Sequence, residues 1–265
     1  MSEEKTNSIT SQDSLQTRLA HPAFPQPPNP KLKVWRYMNL AKFVWLLKHK
    51  KLWLTRLDLL HDPHEGTVGQ RTAEGIRQFM KNLGREAYWD TVAKVFLTTR
   101  YSLYVNCWNW GDNESEAMWR LYSGINDGVA IQTTYGELVK AIEQRANFYI
   151  GMVKYIDYER ETFEGNLNSF QFAMHKRLVF AHENEVRLVT SSSLSPLPSE
   201  SNSPLGVTLD WNPVGHVQSV YANPYAPEYH FDALRACVEM LAPGLLDRLQ
   251  WSRMRALPWG VQSTP

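Results

Sequence analysis

His182-Glu183-Asn184-Glu185-Val186-Arg187-Leu188-Val189 alternates charged and apolar residues with a period of two. A β-strand imposes that period, because successive side chains point to opposite faces. The stretch reads as a strand with Val186 and Leu188 on one face and Glu183, Glu185 and Arg187 on the other. Two carboxylates on one face repel unless a cation or a substrate needs them there. Both an ordinary solvated strand and a site built on a rigid element fit the pattern. Lys176 and Arg177 fall on a helix expected over 170–181 that feeds straight into this strand. From there they could neutralise the carboxylates in a structural network.

Elements of both kinds lie on either side of this stretch. Strand-like segments cover 33–37, 52–55, 102–108, 128–133, 148–158, 185–190, 207–209 and 217–221. Helical spacing marks 40–49, with Asn39 as its N-cap, and also 72–83, 114–122, 135–145 and 229–241. The interleaving predicts an α+β fold, a single domain over 31–258 with a central mixed, mostly antiparallel sheet flanked by helices. Residues 1–30, polar and then proline-rich, are expected to be a disordered tail, and 259–265 a second one. The Ser/Pro-rich run 191–204 is expected as a surface loop.

Composition narrows the partners. Of 265 residues 43% are hydrophobic, and ten Trp with twelve Tyr make the expected core aromatic. A formal net charge of +1 supplies no global field for nucleic acid or a membrane surface. Cys107 and Cys237 are too few for a disulfide framework or a four-cysteine zinc site and fit a reducing compartment. The start of the chain lacks the pattern of a signal peptide, and no run approaches the roughly 20 apolar residues that span a bilayer. The expectation is a soluble, cytoplasmic protein with no membrane partner.

Three further segments hold residues suited to chemistry. In Trp35-Arg36-Tyr37 the Arg can form paired bonds to a phosphate or carboxylate, and an aromatic neighbour can stack on a base. An exposed Arg beside core aromatics is the plainer reading. His61-Asp62-Pro63-His64-Glu65-Gly66 reads as an ordered turn, with Gly66 free to take a positive φ. Its spacing matches no zinc pattern, so no metal is expected. Trp119 and Tyr122 are three apart and share a helix face. They are either core packing or a stacking wall for a flat ligand. Gly-rich phosphate loops and a nucleophile elbow are absent.

In order along the chain, these residues resemble a bacterial family known only as domain-of-unknown-function family 2971. The shared features are Tyr37, Lys51-Leu52-Trp53-Leu54-Thr55, Asp62-Pro63-His64-Glu65 and Cys107. After them come Trp119 to Tyr122, Gly128-Val129, Lys176 and Glu183-Asn184-Glu185-Val186-Arg187. The resemblance spans about residues 33–255, with His61 standing where the family usually has Asn. Its layout is similar in turn to that of the ADP-ribosyltransferases, including those of toxin and anti-phage systems. These open on a strand bearing Arg or His, place an aromatic midway and end on a strand with a catalytic Glu.

That second resemblance implies an ADP-ribosyltransferase-like fold using NAD, with a protein or nucleic-acid acceptor. Glu183 and Glu185 would be catalytic, one stabilising the oxocarbenium-like state and the other orienting the nucleophile. Arg36, Tyr37, Trp119, Tyr122, Lys176 and Arg187 would bind the nucleotide, and Asp62, Pro63 and Glu65 would form a structural or substrate loop. Two alternatives remain: a non-catalytic ligand- or partner-binding module, and a metal-dependent hydrolase or nuclease using Asp62, Glu65, Glu183 and Glu185.

Overall fold

The protein is described by a computed structural model covering residues 14–124, 126–163, 167–192 and 198–256. Its strands are β1 (Lys33–Asn39), β2 (Lys51–Arg56), β3 (Leu103–Trp110), β4 (Gly128–Thr134), β5 (Phe148–Met152), β6 (Lys154–Ile156), β7 (His175–Arg177), β8 (Glu185–Ser191), β9 (Gly206–Asp210), β10 (Ser219–Ala222) and β11 (Leu249–Trp251). The helices are α1 (Leu15–Leu19), α2 (Leu40–His49), α3 (Gln70–Asn82), α4 (Trp89–Thr99), α5 (Glu116–Tyr122), α6 (Tyr135–Ile142), α7 (Ser169–Met174), α8 (Pro213–His216) and α9 (Glu228–Leu241). Nine strands form one mixed sheet, antiparallel except for β10 with β11, while β6 and β7 make a small parallel pair. This is an α+β architecture with a central sheet flanked by helices.

The sheet forks along one edge of β3. Strand β8 pairs with β3 continuously from Leu103 to Asn109 on one side. On the other side β1 pairs only through Val34↔Trp110 and Trp35↔Asn109, and β2 only through Thr55↔Val105 and Arg56↔Tyr104. Neither strand pairs with Asn106, Cys107 or Trp108 on that edge. Beyond Trp35, β1 continues on β4 as far as Asn39↔Gly128, while β2 is paired with β9. The side-chain amide of Asn106 donates to the Trp53 carbonyl at 2.7 Å and accepts from the Trp108 indole at 2.6 Å, replacing part of the missing ladder. Helix α2, capped at its start by the Asn39 side chain, carries the chain from one prong to the other.

One face of the sheet is closed by the main apolar core, where Phe43, Leu46 and Leu47 of α2 meet Leu52, Leu54, Tyr104, Trp108, Val186 and Leu188, along with Leu234 and Val238 of α9. Val186 and Leu188 are thus on the core face, as their alternation predicts.

Two expectations are corrected here. Residues 14–30 are not a disordered tail. Arg18 of α1 is buried and donates to the carbonyls of Ile142, Glu143, Arg145 and Phe148, between the end of α6 and the start of β5, and Phe24 stacks on Tyr149. Residues 1–13 and 259–265, and 193–197 of the expected loop, lie outside the described residues. The expected helix over 170–181 ends instead at Met174, and His175–Arg177 pairs with β6 as a strand. No helix of the described residues is long and apolar enough to cross a membrane.

Candidate functional site

Glu183 lies at the end of a 3₁₀ turn over Leu178–Glu183, so it does not belong to the strand that holds Glu185. Between them Asn184 takes the left-handed conformation, φ 42°. Asn tolerates that region better than most residues. The turn is pinned by Asn109, whose amide donates to the Glu183 carbonyl at 2.7 Å, by the Trp110 amide on the Asn184 carbonyl, and by the Tyr155 hydroxyl accepting from the Glu185 amide. The two carboxylates therefore converge through a turn and not, as the alternation alone suggests, through a shared strand face.

A second segment reaches them from the far side of the fork. The Asp62 carboxylate accepts from the His64 amide at 3.0 Å, closing the turn without help from His61, and the Glu65 amide donates to the Asp62 carbonyl. Gly66, at φ 73°, ends it; a Cβ there would lie 2.6 Å from Arg100 Cβ. Arg177 grips Asp62 with two bonds of 2.8 and 3.1 Å. Burial would raise the Asp62 carboxyl, but the Arg177 guanidinium and the His64 amide outweigh it and hold it below its ordinary value.

Glu65, Lys176, Glu183, Glu185 and Arg187 form one buried network. Lys176 Nζ donates to Glu183 Oε2 at 2.5 Å and Glu185 Oε1 at 2.7 Å, and lies 3.2 Å from Glu65 Oε1. Arg187 spends all five N–H bonds, two on Glu185, two on Glu65 and one on the Ala173 carbonyl. Burial works against both cations, yet the facing carboxylates hold Lys176 and Arg187 well above their ordinary values. For Glu185, burial is overcome by Arg187 and Lys176, so it stays well below a usual carboxylate. Two cations face three carboxylates, and the excess falls on Glu183. Among the described residues Lys176 is its one partner cation, and burial together with the neighbouring Glu185 pushes it up to about 7.

This network forms one wall of a cleft of about 1070 Å³ that opens at the fork. Arg36, Tyr37, Cys107, Tyr122, Glu183 and Glu185 all line it. Arg36 leaves β1 just where that strand parts from β3, and its guanidinium carbon stands 5.9 Å from the Trp108 ring centre. It has no hydrogen bond or ion pair among the described residues, and burial lowers it to about 10. Tyr122 is half open to solvent at 46% exposure; partial burial and the Glu183 charge raise its hydroxyl.

Several expected ligand contacts are not available. Trp119 is fully buried, donates its indole N–H to Glu114 Oε2 and packs edge-on against Tyr37, so it is core and not a stacking wall. Tyr37 reaches the cleft, but its hydroxyl is engaged by the Ser115 amide. Lys176 and Arg187 have spent their donors on the network and hold its carboxylates in place. Pro63 is exposed and does not line the cleft. The metal-dependent alternative has no seat: the Lys176 ammonium stands among Glu65, Glu183 and Glu185, and no three His, Cys, Asp or Glu among the described residues are grouped to hold an ion.

Among the lining residues to which the sequence reading gave no ligand role are Trp45 and Trp53. The readable signal for Trp53 was a large aromatic on the polar side of the alternation Lys51-Leu52-Trp53-Leu54.

No curated protein and no solved structure matches the chain. Residues 118–188 match a family described as protein of unknown function (DUF2971). The stretch runs from α5, with Trp119 and Tyr122, through Lys176 to Glu183, Glu185 and Arg187; Tyr37, Asp62, Glu65 and Cys107 lie outside it. Across residues 118–188, from the helix that presents Tyr122 to the strand that carries the charged network, the chain resembles the DUF2971 family.

Proposed function

We propose that the cleft takes a nucleotide and that the protein is an NAD-dependent ADP-ribosyltransferase-like enzyme with Glu183 as its working carboxylate. One observation carries the reading: Arg36, Tyr122 and Glu183, from three distant parts of the chain, line the same cleft. An Arg with no carboxylate partner suits a pyrophosphate, an open Tyr suits stacking, and the carboxylate least committed to other groups is the one free to work.

The chemistry follows from those places. The C1′–N bond to nicotinamide breaks with its electron pair leaving on the pyridine nitrogen, and positive charge develops on the ribose. Anionic Glu183 stabilises that charge and accepts a ribose hydroxyl, while Arg36 holds the phosphates. The acceptor's nucleophile then bonds to C1′ and gives up its proton to Glu183 or to solvent. Glu185, fixed by Arg187 and Lys176, orients Glu183 and keeps its proton affinity near neutrality.

A second reading has its own support. The complete mutual pairing of Glu65, Glu185, Lys176 and Arg187 is what a purely structural lock would also show, and it fits a non-catalytic binding module. Nicotinamide release by the purified protein, with protein and nucleic-acid acceptors supplied, separates the two. The transferase reading expects NAD binding, release in the wild type and a loss of at least 100-fold in Glu183→Gln, with the fold retained. No binding and no release under any acceptor condition would overturn it in favour of the binding module.

A further inference from the structure

The cleft is chemically divided. All four acidic residues that line it, Asp62, Glu65, Glu183 and Glu185, are paired with Arg177, Lys176 or Arg187. The remaining lining cations, Arg36, Lys42 and Lys51, come from β1, α2 and β2 around the fork, and no acidic residue lines the cleft there. Among the described residues Lys51 has a single ion contact, long and exposed, of 3.7 Å with Asp210. This half of the lining therefore presents an excess of positive charge to whatever enters.

It also presents aromatic surface. Trp53 is 39% exposed between the fully buried Leu52 and Leu54. Its indole stands at right angles to Trp45, ring centres 6.0 Å apart, and Trp45 is backed in turn by His49 at 4.7 Å. On its other side Trp53 is seated over Gly206 of β9, where a Cβ would lie only 2.4 Å from Cε2 and Cζ2. Only a residue without a side chain lets the ring rest there. The indole is thus braced from two directions while part of it stays open to the cleft, the arrangement of a preformed platform for a flat partner.

We infer that the fork is a nucleoside-diphosphate subsite distinct from the carboxylate wall. The phosphates lie by Arg36, with Lys42 at the rim, and the base stacks on Trp53. The inference rests on the nucleotide reading above and deepens it, since it places affinity in one half of the cleft and chemistry in the other. ADP should therefore bind without nicotinamide or its ribose, and without help from Glu183.

Titration of the full chain with ADP, and with nicotinamide as a control, followed by calorimetry and tryptophan fluorescence, tests this. The expectation is that ADP binds and quenches fluorescence, and that nicotinamide alone does neither. Trp53→Ala should weaken ADP about tenfold or more, Trp53→Phe should restore most of the affinity, and Glu183→Gln should leave it unchanged. Gly206→Ala, which pushes the indole from its seat, should weaken ADP without touching any ligand atom. ADP binding indifferent to Trp53→Ala and Gly206→Ala in folded variants, or no ADP binding at all, would overturn the subsite. Nicotinamide release alongside such indifference would leave the transferase standing and the subsite refuted. Trp53-dependent ADP binding without release would do the reverse.

Discussion

The two walls of the cleft handle charge in opposite ways. On the β8 side every donor of Lys176 and Arg187 ends on a carboxylate or a carbonyl. On the fork side Arg36, half-buried, has no hydrogen bond or ion pair among the described residues. A closed network of buried ions specifies a geometry but contributes little net stability, because desolvation offsets the pairing. A half-buried cation without such a partner contributes nothing to the fold that an apolar residue would not match. It lines the cleft, where the phosphates of the nucleotide proposed above would meet it. The contrast separates residues that pair with one another from residues left free to meet the proposed ligand, and motif matching alone runs them together.

Breaking the closed wall should have the largest effect. Arg187→Ala strips Glu65 and Glu185 of their shared partner and leaves two buried carboxylates facing Lys176 alone. A loss of about 3–5 kcal/mol in denaturant unfolding is expected. Gly66→Ala attacks the same wall through the backbone. It forces a side chain onto a φ of 73° and into Arg100 Cβ and Leu57, at a cost of about 1–3 kcal/mol. Because Glu65 precedes it directly, activity should fall further than stability does. An Arg187→Ala protein as stable as wild type would show that the network is not closed in solution.

Local patterning made the first half of the fold legible. Asn39 capping α2 and the switch from period two to helical spacing at Leu40 read directly, as did the core-facing Val186 and Leu188. Features set at long range did not. Nothing in His175-Lys176-Arg177 stops a helix, since no Gly or Pro intervenes; pairing with β6 and the pull of three carboxylates on Lys176 stop it there. Arg18 looked like tail composition because its partners are backbone carbonyls some 125 residues away, which leave no trace in side-chain pattern. Trp119 and Tyr122 share a helix face, yet one is sealed and the other open, a difference decided by what packs above α5. The fork itself is a matter of register between β3 and two strands from elsewhere, and no window of sequence contains it.

Glu183 sharpens the comparison through pH. Its carboxyl is pushed up to about 7 from an ordinary 4.5 by burial and by Glu185, with Tyr122 and Lys176 also facing it. A raised value means that the folded state binds the proton more tightly than the unfolded state. The stabilisation it brings is complete below about pH 4.5 and disappears as pH rises through about 7. Glu183→Gln should remove that slope, so wild type and variant differ by about 1–3 kcal/mol between pH 5 and 8 in unfolding experiments. Nicotinamide release, which needs the anion, should rise over the same interval in which stability falls. Parallel slopes in the two proteins would return Glu183 to the closed wall.

The smallest effect on stability is expected where the effect on ligand is large. Arg36→Met replaces the guanidinium by an apolar chain beside the Trp108 ring, relieving the desolvation that lowers Arg36 to about 10. The fold should change by less than about 1 kcal/mol, in either direction, since no hydrogen bond or ion pair among the described residues is lost. Phosphate-bearing ligands should nevertheless lose affinity, while an uncharged nucleoside should not. If instead the variant unfolds like Arg187→Ala, Arg36 belongs with the residues that build the site. The distinction between the two walls would then collapse into a single ionic core.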